Sequence, residues 1–250
     1  MTDFVFLHGG GQGGWVWEEA IAALAQQSGG AHRTLALDAP GCGTKRGRDT
    51  AGLGFADIVA ELVADIEAAG FADVVLVGHS QAGTMMPAMV ALRPHLFARL
   101  VYLSCTAPDQ GLTIVEMTQD RVHGKAQGHS GQGEGGRAFL NPALPMAERY
   151  RLMFCNDMGD AQAEAFLAKL GHDQWPASSY AWRDWRYDHL ATVPTTYVQC
   201  LADTILPADW QAYYARALHA DRLVRIDAGH QAMNTRPQAF AEVLLAEAAA

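Results

Sequence analysis

The sequence predicts an α/β protein, with a six-stranded, mostly parallel sheet, helices on both faces and a helical cap inserted between strands. Three observations carry that expectation. Six short apolar runs of strand length recur along the chain, helical patterns lie between most of them, and the alternation breaks once, over 108–192. Alternating β and α units imply a parallel sheet covered on both sides. The chain has 250 residues, half of them apolar, enough for one sizeable core.

Strands are expected at 3–7, 33–38, 73–77, 99–104, 195–201 and 222–227. The run Val74-Val75-Leu76-Val77 shows the type: apolar, β-branched and too short for a helix. The first helix, 15–27, starts with Trp15 and Trp17 and continues through Ile21 and Leu24. The second, 55–69, places Phe55, Ile58, Leu62 and Ile66 three or four residues apart, one face of a helix. The third, 81–93, tolerates Pro87. The fourth, 208–219, opens after Pro207, and an alanine-rich helix over 236–249 follows the last strand. These elements make 1–107 and 193–250 the core and 108–192 the cap. The cap holds a glycine-rich polar stretch, 124–136, a helical stretch over about 146–170, and an aromatic cluster. The glycine-rich stretch suits a mobile lid loop and equally a plain surface loop. It lacks the phosphate-cradling pattern G-x-x-x-x-G-K-[ST].

The formal net charge of −9 is spread along the chain, which argues against nucleic acid or an anionic membrane surface as partner. No apolar stretch approaches the ~18 residues that span a bilayer, and the chain starts without a signal-peptide pattern. Cys42, Cys105, Cys155 and Cys200 stand far apart in no metal-ligand or disulfide spacing. The expectations are a cytoplasmic protein with no metal and no cofactor, acting on a small molecule, with room for a homodimer.

The chemistry centres on Gly78-His79-Ser80-Gln81-Ala82-Gly83. A serine between small residues at a strand-to-helix junction reads as the nucleophile elbow of α/β-hydrolases; the same position also suits a helix N-cap serine. A serine hydroxyl needs a base, an orienter for the base, and N–H donors for the developing oxyanion. In a parallel sheet these belong in loops at the carboxyl ends of strands. His230, preceded by Gly229 in the loop after the last strand, is the base candidate. Asp203, after the 195–201 strand, is the acid candidate, and Asp109, after the 99–104 strand, competes with it. The order Ser80, Asp203, His230 is that of the α/β-hydrolases. Gln81 and Gly10 are the oxyanion-hole candidates through their backbone N–H groups, with Gly9 and Gly11 as alternatives to Gly10. The loop His8-Gly9-Gly10-Gly11 lacks the dinucleotide spacing G-x-G-x-x-G.

Together these residues resemble the branch of the α/β-hydrolase superfamily that holds plant methylesterases, hydroxynitrile lyases and bacterial esterase-like proteins. The similarity runs through His8-Gly9-Gly10-Gly11-Gln12-Gly13-Gly14-Trp15-Val16-Trp17, Leu37-Asp38-Ala39-Pro40-Gly41, the elbow, Leu100-Val101-Tyr102-Leu103, Val193-Pro194-Thr195-Thr196-Tyr197-Val198-Gln199-Cys200 with Asp203, Gly229-His230 and Arg236-Pro237. It implies Ser80, Asp203 and His230 as a triad, Gly10 and Gln81 as the oxyanion hole, and a sheet that begins at the superfamily's third strand. Two departures stand out. Ala82 replaces a glycine, a change small enough to be tolerated. Gln231 stands where the lyases carry a lysine whose charge stabilises cyanide, which argues against lyase chemistry.

The expected activity is hydrolysis of a small carboxylic ester through an acyl-enzyme on Ser80. The alternative is a lyase, carbon–carbon bond hydrolase or cofactor-free oxygenase in which His230 and Asp203 abstract a proton. A third reading is a small-molecule receptor on a hydrolase fold. Phe154, Trp175, Tyr180, Trp182, Trp185 and Tyr187 suit an apolar or aromatic pocket wall or core packing, and Arg183 and Arg186 a solvated surface or a carboxylate contact.

Overall fold

In the computed structural model, which describes residues 1–117 and 138–249, the six strands form one sheet, all parallel, in the order β2-β1-β3-β4-β5-β6. They are β1 Asp3–Leu7, β2 Arg33–Leu37, β3 Val74–His79, β4 Phe97–Leu103, β5 Thr195–Cys200 and β6 Arg222–Ile226. The sheet is fully rather than mostly parallel because every connection between strands carries helix. Its side chains alternate between two buried faces. Phe4 and Phe6 face one core with Val75 and Val77, while Val5 and Leu7 face the other with Val74 and Leu76. Burying each such side chain is worth roughly 1.5–3 kcal/mol, and a one-residue slip would exchange the two sets.

On the first face lie α1 (Glu18–Ser28) and the last helix, α10 (Pro237–Ala248). On the second lie α2 (Phe55–Ala68), α3 (Ala82–Leu92) and α8 (Ala208–Ala217). Several boundaries move from their expected places. Trp15 and Trp17 belong to a 3-10 turn, Gly14–Trp17, ahead of α1. A short α9, Ala232–Thr235, precedes α10, and Pro237 opens the latter. Pro87 sits inside α3 without ending it.

Between β4 and β5 the chain leaves the sheet, and the described residues there form no strand. They form α4 (Ile114–Met117), α5 (Met146–Phe154), α6 (Asp160–Leu167) and α7 (Ala177–Ala181). The helical stretch expected over 146–170 is thus two helices, broken at 155–159, where Asn156, Asp157 and Gly159 favour a turn over a helix. The glycine-rich stretch 124–136 lies outside the described residues. No helix among the described residues is long and apolar enough to cross a membrane.

The strand order reverses between β1 and β3. Successive connections leave in opposite directions there, opening a crevice at the carboxyl ends of the two strands. The loops after β1 and β3 carry Gly10 and Ser80.

Candidate active site

The end of β3 enters α3 through Ser80, whose φ of +54° lies in the left-handed region. That conformation costs energy in a residue with a Cβ, and neighbours on both sides hold it. The Ser80 N–H donates to Leu103 O at the end of β4 (3.2 Å), and its carbonyl accepts from Gly83 and Thr106 (3.2 and 3.1 Å). At Gly83 a Cβ would collide with the Thr106 carbonyl oxygen, so a glycine is required there. Ala82 is fully buried and continues α3.

His230 sits in the loop between β6 and α9, and Asp203 in the loop after β5; both side chains are fully buried. His230 Nδ1 lies 2.6 Å from Asp203 Oδ2. Asp203 Oδ1 accepts the N–H groups of Ile205 (2.7 Å) and Leu206 (3.0 Å). Ser104, just beyond β4, donates its hydroxyl to Oδ2. Every partner of this carboxylate is a donor, so it serves as an acceptor on both oxygens, and Nδ1 of His230 carries the proton. Nε2 is then the basic nitrogen, and it makes no hydrogen bond among the described residues. The imidazole is held from behind by His79, whose Nε2–H donates to the His230 carbonyl (2.9 Å) with ring centres 4.5 Å apart. Burial, then the nearby His230, push the His79 imidazole well below its usual range, so it stays neutral. Asp109, the competing acid, stands apart and accepts from the Tyr213 hydroxyl (2.6 Å).

Ser80 and His230 share a cavity of about 340 Å³ with Gly10 and Gln81. Among the described residues the backbone N–H groups of Gly10 and Gln81 have no acceptor. The Gln81 side chain lies directly over Gly10, where a Cβ would collide with its Oε1 and stand 3.3 Å from the Tyr180 hydroxyl. Its Nε2 donates to Ser179 on α7 (3.2 Å). The rest of the wall is mainly apolar, with Ile114, Val115, Met153, Phe154, Leu170 and Leu206.

Of the six expected aromatics, Phe154 and Tyr180 line this cavity, joined by Tyr150, which the sequence did not single out. The other four pack elsewhere. Trp175 is buried and donates to Gly9 O (3.0 Å), and Trp182 stacks on Phe55 with ring centres 4.5 Å apart. Trp185 and Tyr187 donate to the carbonyls of Leu112 and Pro108. Arg183 pairs with Glu116 and Arg186 with Asp184, both exposed. Ser104 and Gln81's side-chain contacts were not signalled by any motif. No group of three His, Cys, Asp or Glu side chains among the described residues is placed to hold a metal ion.

Residues 4–243 match the alpha/beta hydrolase family. A carbendazim hydrolyzing esterase of Nocardioides sp. (strain SG-4G) is 28% identical over 117 residues, 47% of this chain and 47% of that protein. The matched part thus spans about half of that relative's length. The polyneuridine aldehyde esterase of Rauvolfia serpentina is 23% identical over 253 residues, 97% of this chain and 94% of that one. Among solved structures, a methylesterase protein, MES16, from Arabidopsis superposes with a TM-score of 0.75 at 18% identity, covering 100% of this chain and 99% of that one. The last is a likeness of fold, and the fold is the one the sequence predicts.

Proposed function

The chain belongs to the alpha/beta hydrolase family, and from that premise we propose that it hydrolyses a small carboxylic ester through an acyl-enzyme on Ser80. The observation that carries the reading is the buried Asp203–His230 hydrogen bond of 2.6 Å, opening on the same cavity as a serine on a strained elbow. His230 Nε2 takes the Ser80 proton as Oγ attacks the ester carbonyl, and later gives it to the leaving alcohol. Water then resolves the acyl-enzyme with the same nitrogen as base. Asp203 keeps the imidazole in the required tautomer and stabilises its charged form. The unengaged N–H groups of Gly10 and Gln81 suit the oxyanion, a role in which one donor is worth roughly 100–1,000-fold in rate.

The mainly apolar cavity supports an apolar or aromatic substrate. The names of the relatives, two esterases and a methylesterase, support an ester. The segment 108–192 supplies Ile114, Met153, Phe154 and Tyr180 to the wall, which supports its reading as the cap. The four cysteines are free and buried, in keeping with a reducing cytoplasm.

An ester panel varying acyl and alcohol size tests this on wild type, Ser80→Ala and His230→Ala. Both variants are expected to stay folded and lose at least about a thousandfold in kcat. Unchanged turnover in Ser80→Ala would defeat the acyl-enzyme. Because His230 Nε2 is not bound to Ser80, proton abstraction by His230 without serine attack is the competing chemistry. Its signature is activity that survives in Ser80→Ala and vanishes in His230→Ala.

A further inference from the structure

We propose that Ser104 is a positioning residue for the Asp203–His230 pair, a fourth side chain that aims the carboxylate and tempers its pull on the imidazole. The proposal rests on the reading of His230 as the base. Ser104 is the first residue past β4, and its N–H donates to Val198 O (3.0 Å) on β5. Its φ of +42° is left-handed. A non-glycine residue keeps such a conformation only where its surroundings over-determine it, and these residues gather at functional sites. Ser104 is fully buried in that conformation. Its hydroxyl donates to Asp203 Oδ2 and stands 3.5 Å from His230 Nδ1.

The carboxylate is therefore gripped from two directions. Two loop N–H groups hold Oδ1, while Oδ2 is shared between the imidazole and the serine hydroxyl. A hydroxyl on the shared oxygen draws off part of the charge that faces the imidazole. Deleting it leaves Oδ2 to His230 alone, which favours the protonated imidazole and frees the carboxylate to swing. Both effects act on the base and neither on the bound substrate.

The other titratable groups around the pair leave this effect legible. His79, beside His230, stays neutral, and the Asp157 carboxylate is engaged by the Gly229 N–H (2.8 Å). Cys200 and Tyr197, near Asp203, are held protonated by burial first and by neighbouring groups second.

The test compares Ser104→Ala with Ser104→Gly, after thermal unfolding has shown both folded. Both lack the hydroxyl, and glycine also relieves the left-handed backbone. In each, kcat on the best ester is expected to fall about 10-fold with KM within about twofold. The acid limb of kcat/KM is expected to move up by about half to one pH unit. The His230 ring protons, followed by NMR, should titrate at correspondingly higher pH. A wild-type pH profile in both variants overturns the proposal. So does a shift in alanine that glycine abolishes, because the effect would then belong to the backbone. Failure of the underlying reading shows separately, as retained turnover in His230→Ala, and the ring titration does not depend on turnover.

Discussion

At the scale of single residues, the elbow places its demand for smallness at Gly83. The motif reads as though position 82 should be glycine, yet Ala82 is buried without strain and takes part in α3. The close approach occurs one residue later, where Gly83 meets the Thr106 carbonyl. Thr106 in turn donates its N–H to Ser80 O, so crowding at 83 is transmitted to the peptide of Ser80 itself. Gly83→Ala is expected to cost about 1–3 kcal/mol, the range for overpacking a filled interior, and to lower kcat on the ester panel. Ala82→Gly is expected to cost about 1 kcal/mol or less, the difference in helix propensity. Denaturant unfolding of the two variants, with kcat for each, checks the contrast. Equal losses at the two positions would place the requirement at neither.

At the scale of elements, one buried carboxylate ties the segment between β4 and β5 to two loops that follow strands. Asp173, its side chain fully buried, accepts from Arg46 Nε (2.6 Å) and Nη2 (2.7 Å), from Trp15 Nε1 (2.9 Å), and from the Gly43 N–H (2.6 Å). Arg46 and Gly43 follow β2, and Trp15 follows β1, so the latch joins this segment to the loops after those two strands. Burial raises the Asp173 carboxyl, but the bonds from Arg46, Trp15 and Gly43 outweigh it and hold it below its ordinary 3.8. A depressed folded value stabilises above the unfolded one, so the latch is at full strength above about pH 4 and is lost as pH falls further. Arg46 is 41% exposed, which screens the pair. Asp173→Asn is therefore expected to cost about 1–3 kcal/mol at pH 7 and to raise KM, since Asp173 adjoins the cavity. Its deficit against wild type should shrink below pH 4, as urea melts across that range will show. The sequence does not announce this latch. Asp173 carries no motif, and its partners lie 127 and more residues away. The strands are legible for the opposite reason: a strand buried on both faces must be apolar throughout, and Val74 to Val77 or Phe4 to Leu7 have no other use. Ser80, Asp203 and His230 are legible from their order and from the strands they follow. Ser104 looks like any strand-ending serine, because a left-handed φ and a partner 99 residues on leave no trace in local pattern.

At the scale of the whole molecule, the candidate site and a second buried cluster of charged side chains occupy opposite ends of the sheet. Ser80, Ser104, Asp203 and His230 cluster beyond the carboxyl ends of β3, β4, β5 and β6. Toward the amino ends of β4, β5 and β6, one side chain of the last helix gathers the strands. Glu247, its side chain 1% exposed, accepts from Arg99 on β4 (3.1 Å), the Thr196 hydroxyl on β5 (2.8 Å) and Arg222 on β6 (2.8 Å). The helix pattern predicts α10 from its alanines and leucines, but not that its one buried acid spans three strands. Removing this acid leaves Arg99, 20% exposed, without its partner, and that uncompensated charge is where most of the loss arises. Arg222 is half exposed and regains water. Glu247→Ala is expected to cost about 2–3 kcal/mol, below the usual figure for a fully buried pair, and to lower Tm by about 4–12 °C in a chain of this size. Because the whole length of the strands separates Glu247 from the cavity, kcat and KM at 25 °C should stay at wild-type values. A calorimetric scan beside an ester assay separates the two ends: a Tm loss with intact kinetics supports the division of labour, whereas a parallel loss of kcat would show that α10 also holds the catalytic loops in place.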